Sequence, residues 1–330
     1  MSYNCKIPIL IVAYNRPDAL LRVLQAVKRI YPSKLYFAVD GLREDDTNNI
    51  EKNKTVKRII DDIDWCENIR KKYRMNNVGC KTNVSTAIDW VFDNENELII
   101  LEDDLLPSQS FFRFCETMLE YYRGNKRVYQ ICGYNVLQEC KHDKSYYFTN
   151  FPVISGWATW KDKWISYDPM MINMSNKNIK NKIYSLYKKR RHGRFQYNRF
   201  NNLYKLFRKG KGDSWAYPWA FTIAYNEGVS VMPTKNLVSN IGFGEDAHNN
   251  GKTTSPFAKP YAVDIDFPLK HPKEICVDRD ADTKTLEVHY LNGHPYWYAY
   301  LSQIYRRFVL NGDSKLISYL KKIVNEKCGF

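Results

Sequence analysis

Three consecutive carboxylates, Glu102-Asp103-Asp104, stand at the end of the apolar run Leu98-Ile99-Ile100-Leu101. Like charges at the mouth of a buried strand repel one another, and the arrangement is tolerable when a cation neutralises it. Oxygen ligands suit Mg²⁺ or Mn²⁺, which bind through one or two carboxylates and leave positions for water and phosphate oxygens. A metal-bridged diphosphate is the natural ligand of such a cluster. The competing reading is an acidic strand-to-helix loop, with Ser108 capping a helix that begins near Phe111.

The elements needed to position such a site alternate in type. Ile7 to Ala13 is an apolar run of strand length, followed by Tyr14-Asn15-Arg16-Pro17, where a proline at the first helical position opens an amphipathic helix through Leu20, Leu21, Leu24 and Val27. Leu35 to Val39 is a second buried strand, ending in Asp40-Gly41. A helix near Val56 to Ile63, a weaker strand near Ile69 to Tyr73, a turn at Asn76-Asn77-Val78-Gly79 and a helix near Asn83 to Phe92 lead to the strand that carries the triplet. This alternation predicts an α/β fold whose mostly parallel sheet is covered on both faces. Ligands of such sheets sit at the carboxyl ends of the strands. Tyr14-Asn15-Arg16, Asp40 and the acidic triplet all fall at such ends, so three polar clusters converge on one crevice.

With these elements in order, Pro8 to Pro17, Val39-Asp40-Gly41 and Ile100-Leu101-Glu102-Asp103-Asp104 resemble the nucleotide-sugar-binding half of GT-A glycosyltransferases. The likeness is nearest to bacterial polysaccharide glycosyltransferases related to eukaryotic N-acetylglucosaminyltransferase I. It extends through Gly156-Trp157-Ala158-Thr159-Trp160-Lys161, Asp213-Ser214-Trp215-Ala216 and Leu237 to Gly244, and covers roughly residues 5 to 275. The resemblance implies a GT-A, Rossmann-like domain over residues 1–275, with a nucleotide half to about residue 135 and an acceptor half carrying a basic helical insertion at about 170–212; residues 276–330 form a helical C-terminal extension.

It also implies a metal-dependent, inverting transfer of sugar from a UDP-sugar to a hydroxyl of a lipid-linked capsule or O-antigen glycan. Asp104, with Glu102 and Asp103 beside it, then anchors Mn²⁺ or Mg²⁺ on the diphosphate. Ala13, Tyr14, Asn15, Arg16, Asp40, Gly41, Asn83 and Trp157 are placed at the donor, Asp40 by accepting the uracil N–H. The resemblance puts the general base near Asp213, which follows a glycine-broken Lys209-Gly210-Lys211-Gly212 approach and stands beside Trp215 and Trp219. The alternative is that Asp213 N-caps the helix containing Trp219, Phe221 and Ile223. Related sequences often carry an acidic residue where this chain has Ala216, so Glu245 and Asp246 remain alternative bases. They lie in a glycine-rich loop, Gly242 to His248, that reads either as a lid over the donor or as an ordinary surface loop.

The chain's 44% hydrophobic content supplies ample core for its 330 residues, and no apolar run is long enough to span a bilayer, which suggests a cytoplasmic protein. Its cysteines are scattered without a C-x-x-C pair, so neither zinc nor a disulfide framework is expected. The net charge of +14 is concentrated: between Asp168 and Asp213 there is no acidic residue, while lysines and arginines accumulate from Lys177 to Lys211. Such a block is either a solvated helical face or a surface for anionic headgroups and a lipid-linked diphosphate. Nucleic acid is disfavoured, because Tyr184, Tyr187, Phe195, Phe200, Leu203 and Phe207 read as two amphipathic helices packed on the domain and no nucleic-acid module is recognisable. His192 reads as solvated within this block, and His271 as either a diphosphate contact or loop packing. Helical patterns at 296–309 and 315–324 suggest docking or membrane-surface helices. Two rival classes stand beside the transferase. One is a binding protein that kept the fold without catalysis, supported by Ala216. The other is a nucleotidyltransferase, which would want a glycine-rich, lysine-containing loop where Tyr14-Asn15-Arg16-Pro17 has no glycine.

Overall fold

The computed structural model describes residues 3–44, 46–140, 142–243, 258, 260–291 and 298. Strand and helix alternate as the sequence predicts: β1 (Ile9–Ala13), α1 (Pro17–Lys28), β2 (Leu35–Val39), α2 (Ile50–Asp61), β3 (Ile69–Tyr73), α3 (Gly79–Phe92) and β4 (Glu97–Glu102). The chain continues through β5 (Leu105–Pro107), α4 (Gln109–Tyr121), β6 (Val128–Cys132), β7 (Tyr146–Thr149), β8 (Trp157–Trp160) and α5 (Lys161–Trp164). It then runs through α6 (Ile179–Ser185), α7 (Arg190–Arg208), α8 (Ala216–Tyr225), β9 (Val229–Pro233), β10 (Val238–Asn240) and α9 (Arg279–Thr285).

Eight strands form one sheet in the order β3-β2-β1-β4-β8-β6-β9-β7. β1 to β4 are mutually parallel, whereas β8 and β7 run antiparallel to their neighbours. The two-residue side-chain period sorts β1 between two cores. Ile9, Ile11 and Ala13 face a core with Leu20, Val23 and Leu24 of α1, Val56 and Ile60 of α2 and the phenylalanines of α4. Leu10 and Val12 face the other, with Val84, Ala87, Ile88 and Val91 of α3 and Trp215 and Trp219 around α8. A third cluster joins α6, α7 and the outer face of α8 through Ile183, Phe195, Phe200, Phe207 and Phe221. β3 closes the sheet edge with exposed Arg70 and Lys71, charges of the kind that discourage edge-to-edge pairing.

Several boundaries differ from the sequence expectation for local reasons. Leu21 is exposed and Val23 takes its place in the stripe of α1. α2 begins at Ile50 rather than near Val56, and its buried face includes Asn53, a polar residue that interrupts the apolar pattern. α3 begins at Gly79 rather than Asn83, because its N-terminus is capped by Asp40, a residue distant in sequence. Ser108 does sit before α4, but its hydroxyl meets that of Ser110 at 3.1 Å rather than a helix N–H. Asp213 is not the cap of α8, which starts at Ala216 behind Trp215. His192 is buried on α7, not solvated. His271 stacks on Tyr121 with ring centroids 4.2 Å apart and its Nδ1 lies 2.9 Å from the Tyr146 hydroxyl, so it packs a loop. The helices expected at 296–309 and 315–324 lie outside the described residues.

Candidate active site

The acidic triplet sits where the main sheet hands over to a smaller one. Val12 of β1 pairs with Glu102, and β5, immediately after the triplet, pairs antiparallel with β10 so that Leu105 faces Asn240. The next residues of the β10 strand therefore lie over Asp104: the Ile241 N–H donates to the Asp104 carbonyl at 2.8 Å. Gly242 approaches so closely that a Cβ there would stand 2.0 Å from Asp104 Oδ2. A side chain at this position would require the Asp104 carboxylate to shift. Gly242 is the stem of the loop carrying Glu245 and Asp246, which themselves lie outside the described residues.

Asp103 and Asp104 are buried and Glu102 is partly buried. Asp103 accepts the Tyr14 N–H at 3.0 Å. The guanidinium of Arg16 bonds to Asp104 Oδ2 and lies 3.7 Å from Asp103 Oδ1. Burial first, and then mutual repulsion, raise the carboxyls of Glu102 and Asp103; burial also raises Asp104, against the pull of Arg16. Asp103 and Asp104 thus share one guanidinium with Glu102 beside them, a crowding of carboxyls that a divalent cation would relieve. Among the described residues no three acidic, histidine or cysteine side chains converge as metal ligands. A cation held here would take one or two of these carboxylates and complete its shell with water and phosphate oxygens.

Tyr14, Asn15 and Arg16 occupy the three-residue turn between β1 and α1. The Tyr14 hydroxyl donates to Asp46 at 2.8 Å, and Asn15 donates to Asn49 at 2.7 Å. Asn53 Nδ2 ties the carbonyls of Tyr14 and Asp40 together at 2.7 and 3.1 Å, so one buried amide holds the ends of β1 and β2 in register. Neither Asn53 nor the Asp46–Asn49 pair was among the sequence candidates. The signal for Asn53 was present: an asparagine at an otherwise apolar position, followed by Val56 and Ile60 at helical spacing.

Other candidates make contacts within the fold. Asp40 Oδ1 accepts from the Gly41 and Val78 N–H groups at 2.9 and 3.0 Å, and Oδ2 accepts from Gly79 at 3.1 Å. Its carboxylate caps α3 and keeps spare acceptor capacity only at Oδ2. Gly41 is required by a close approach, since a Cβ would meet the Asn76 backbone at 2.3 Å. Asn83 is buried and accepts from Arg74 Nε at 3.3 Å. Trp157, expected at the donor, is fully buried and stacked on Trp215 with ring centroids 5.5 Å apart. Its indole Nε1 meets no hydrogen-bond partner among the described residues.

Asp213 is exposed, and its Oδ1 lies 3.3 Å from the position of a Cβ on Gly79. Cys80, on the first turn of α3, lies among Glu102, Asp213 and Asp40. Desolvation first, then these three charges, push its thiol up to about 12. The fold therefore gathers Asp213, the Asp40-capped start of α3 and the acidic triplet around one cleft, although more than a hundred residues separate Asp213 from the triplet. Cys80 was missed because a lone cysteine carries no pattern.

No protein-family model and no curated protein matches the chain. Among solved structures, the mannosyltransferase PcManGT from Pyrobaculum calidifontis, in complex with GDP-Man and Mn2+, is similar with a TM-score of 0.37 and 12% identity over 68% of this chain and 70% of that one. Galactosyltransferase LgtC, in complex with donor and acceptor sugar analogs, is similar with a TM-score of 0.33 and 13% identity over 78% and 97% of the two chains. UDP-glucose pyrophosphorylase complexed with UDP-glucose is similar with a TM-score of 0.36 and 10% identity over 72% and 93%. At these scores none of them assigns an activity to this chain.

Proposed function

We propose that the protein is a metal-dependent, inverting glycosyltransferase that moves a sugar from a UDP-sugar to a hydroxyl of a lipid-linked cell-surface glycan. The observation that carries this reading is the burial of Asp103 and Asp104 against a single guanidinium, with partly buried Glu102 beside them, at the carboxyl ends of the parallel strands. A Mn²⁺ or Mg²⁺ ion held by Asp104 would neutralise the diphosphate of the donor and of departing UDP. Tyr14, Asn15 and Arg16 supply the donor pocket from the β1–α1 turn, and Asp40 fixes the neighbouring turn while offering its remaining acceptor position to uracil. On the far side of the cleft Asp213 takes the proton of the attacking acceptor hydroxyl as that oxygen bonds to the anomeric carbon and the bond to the diphosphate breaks. Attack from the face opposite the leaving group inverts the configuration. Glu245 and Asp246 are the alternative bases.

The nucleotidyltransferase alternative is disfavoured by the turn itself. A three-residue connection without glycine between β1 and α1 offers no loop of backbone N–H groups to cradle a triphosphate. The test is a thermal-shift screen of nucleoside diphosphate sugars and nucleoside triphosphates with and without Mn²⁺. The proposal expects stabilisation by a UDP-sugar that depends on Mn²⁺. Stabilisation by a triphosphate, with none by any diphosphate sugar, would overturn it.

A further inference from the structure

Of the lysines and arginines on α7, Arg190, Arg191, Arg194, Lys205 and Arg208 are exposed. Arg199 is the exception. It follows Phe195 and Gln196 at helical spacing, so it shares the face of the helix that packs into the third core cluster. Its Cζ lies 4.3 Å from the ring centroid of Tyr290 and 4.6 Å from that of Tyr217, and one N–H donates to Gln196 Oε1 at 3.3 Å. Among the described residues it makes no ion pair with a carboxylate; the groups that steady its charge are the hydroxyls of Tyr217 and Tyr290. Asp282, whose charge reaches Tyr290, accepts from Thr149 and Asn150 instead. Charges withdrawn from water are ordinarily paired, and two phenols and one amide leave part of a five-donor guanidinium unused. The uncompensated charge is felt nearby: half-buried His289 is pushed down to about 3, by desolvation first and by Arg199 second. Arg199, Tyr217 and Tyr290 are each partly exposed, so the cluster reaches the surface.

We infer that Arg199, framed by Tyr217, Tyr290 and Gln196, is a binding site for an oxyanion group, a phosphate or a carboxylate. Packing against the rings leaves N–H donors of the guanidinium fork unused, and that fork matches two oxygens of one carboxylate or phosphate. The surroundings favour a negative ligand, because α6 and α7 belong to the stretch between Asp168 and Asp213 that holds no acidic residue. Tyr217 also ties the site to the second half of the cleft: it lies on the first turn of α8, four residues after Asp213. Under the glycosyltransferase reading the oxyanion is a group of the acceptor, an acidic sugar or a phosphate. Only that assignment rests on the reading; the binding of an oxyanion does not.

The test is NMR of the assigned Arg199 Nε–H group in the full chain, in EDTA and without donor, titrated at constant ionic strength with inorganic phosphate, glucuronate and glucose. The inference expects a saturable shift of that resonance with phosphate, glucuronate or both, and none with glucose. A shift with phosphate alone assigns the site to a phosphoryl group, and tighter binding of glucuronate assigns it to an acidic sugar. Calorimetry with the same anions should show affinity reduced on the order of tenfold or more in Arg199→Lys, which keeps the charge and loses the fork. Arg190→Ser with Arg208→Ser, on the exposed face, should bind as the original protein does. A resonance that moves with neither anion, or equal affinity in the original protein and Arg199→Lys, would overturn the inference and leave Arg199 a packing residue. If Arg199→Lys does not fold, the resonance in the original protein decides alone. Absence of any transfer activity, with the anion bound as expected, would count against the glycosyltransferase reading and not against this site.

Discussion

Replacing Arg16 with glutamine tests whether its guanidinium holds the place of the cation. Arg16 bonds to Asp104 and lies 3.7 Å from Asp103, with its side chain 21% exposed. At about 4 Å and an effective dielectric of about 20, each unit pair is worth roughly 4 kcal/mol before desolvation. Removing one partner from a buried pair costs about 3–5 kcal/mol, and partial exposure of Arg16 favours the lower end, about 3 kcal/mol. With an unfolding entropy of about 2.1 cal/mol/K per residue over 330 residues, that loss lowers Tm in EDTA by about 4 °C. The same charge no longer repels an incoming metal, so Mn²⁺ should bind about ten- to a hundredfold more tightly to Arg16→Gln than to the original protein. Melting curves in EDTA and in about 1 mM MnCl₂, together with spectroscopic titration of free Mn²⁺, read both effects. Arg16 lowers the crowded carboxyls, which burial raises, so they take up protons more readily once it is gone, and the Mn²⁺ titration is run at several pH values because bound metal must displace those protons. An unchanged Tm in EDTA, or Mn²⁺ affinity no greater than that of the original protein, would refute the reasoning.

Asp213→Asn should retain donor binding while transfer falls by about a hundredfold to ten-thousandfold, measured as product formation against UDP affinity; normal transfer would move the base to Glu245 or Asp246. Gly242→Ala should displace the Asp104 carboxylate and weaken Mn²⁺-dependent UDP binding about tenfold with Tm nearly unchanged; calorimetry that finds full affinity would contradict the close packing of the two residues. Asp282, buried on α9 and accepting from Thr149 and Asn150, has its carboxyl raised to about 7 by burial from a usual value of 3.8. Between these values the folded chain keeps a proton that the unfolded chain has lost, so the contribution of Asp282 to stability falls as pH rises from about 4 to about 7. Asp282→Asn should flatten that part of the Tm–pH profile, and a profile that keeps its slope would place the titration elsewhere.

The alternating core was legible in the sequence because burial on both sheet faces forces near-continuous apolar strands: β2 falls at the residues its pattern indicates, and the all-buried β1 lies within its apolar run. The gathering of Tyr14, Arg16, Asp103 and Asp104 was legible for the same reason, since strand ends in a parallel sheet share an edge. What stayed hidden depends on contacts distant in sequence. Asp40 was placed at the donor as an acceptor for uracil, and that it also caps a helix almost forty residues on could not be read from the sequence. Trp157 was placed at the donor, and its burial against Trp215 and Trp219 appears only once elements distant in sequence are packed together. Gly242 read as one glycine of a loop, and its need for a bare Cα appears only when Asp104 is placed against it.

The most direct test of a carboxylate-held metal on a nucleoside diphosphate is calorimetric titration of UDP into the original protein and into Asp104→Ala, each with Mn²⁺ and with EDTA. The account predicts that Mn²⁺ strengthens UDP binding at least about tenfold in the original protein and has no effect in Asp104→Ala, whose folding is verified by its melting curve because the Arg16 partner is lost. UDP bound equally well with and without Mn²⁺, or an Asp104→Ala variant that keeps the full metal dependence, would contradict it.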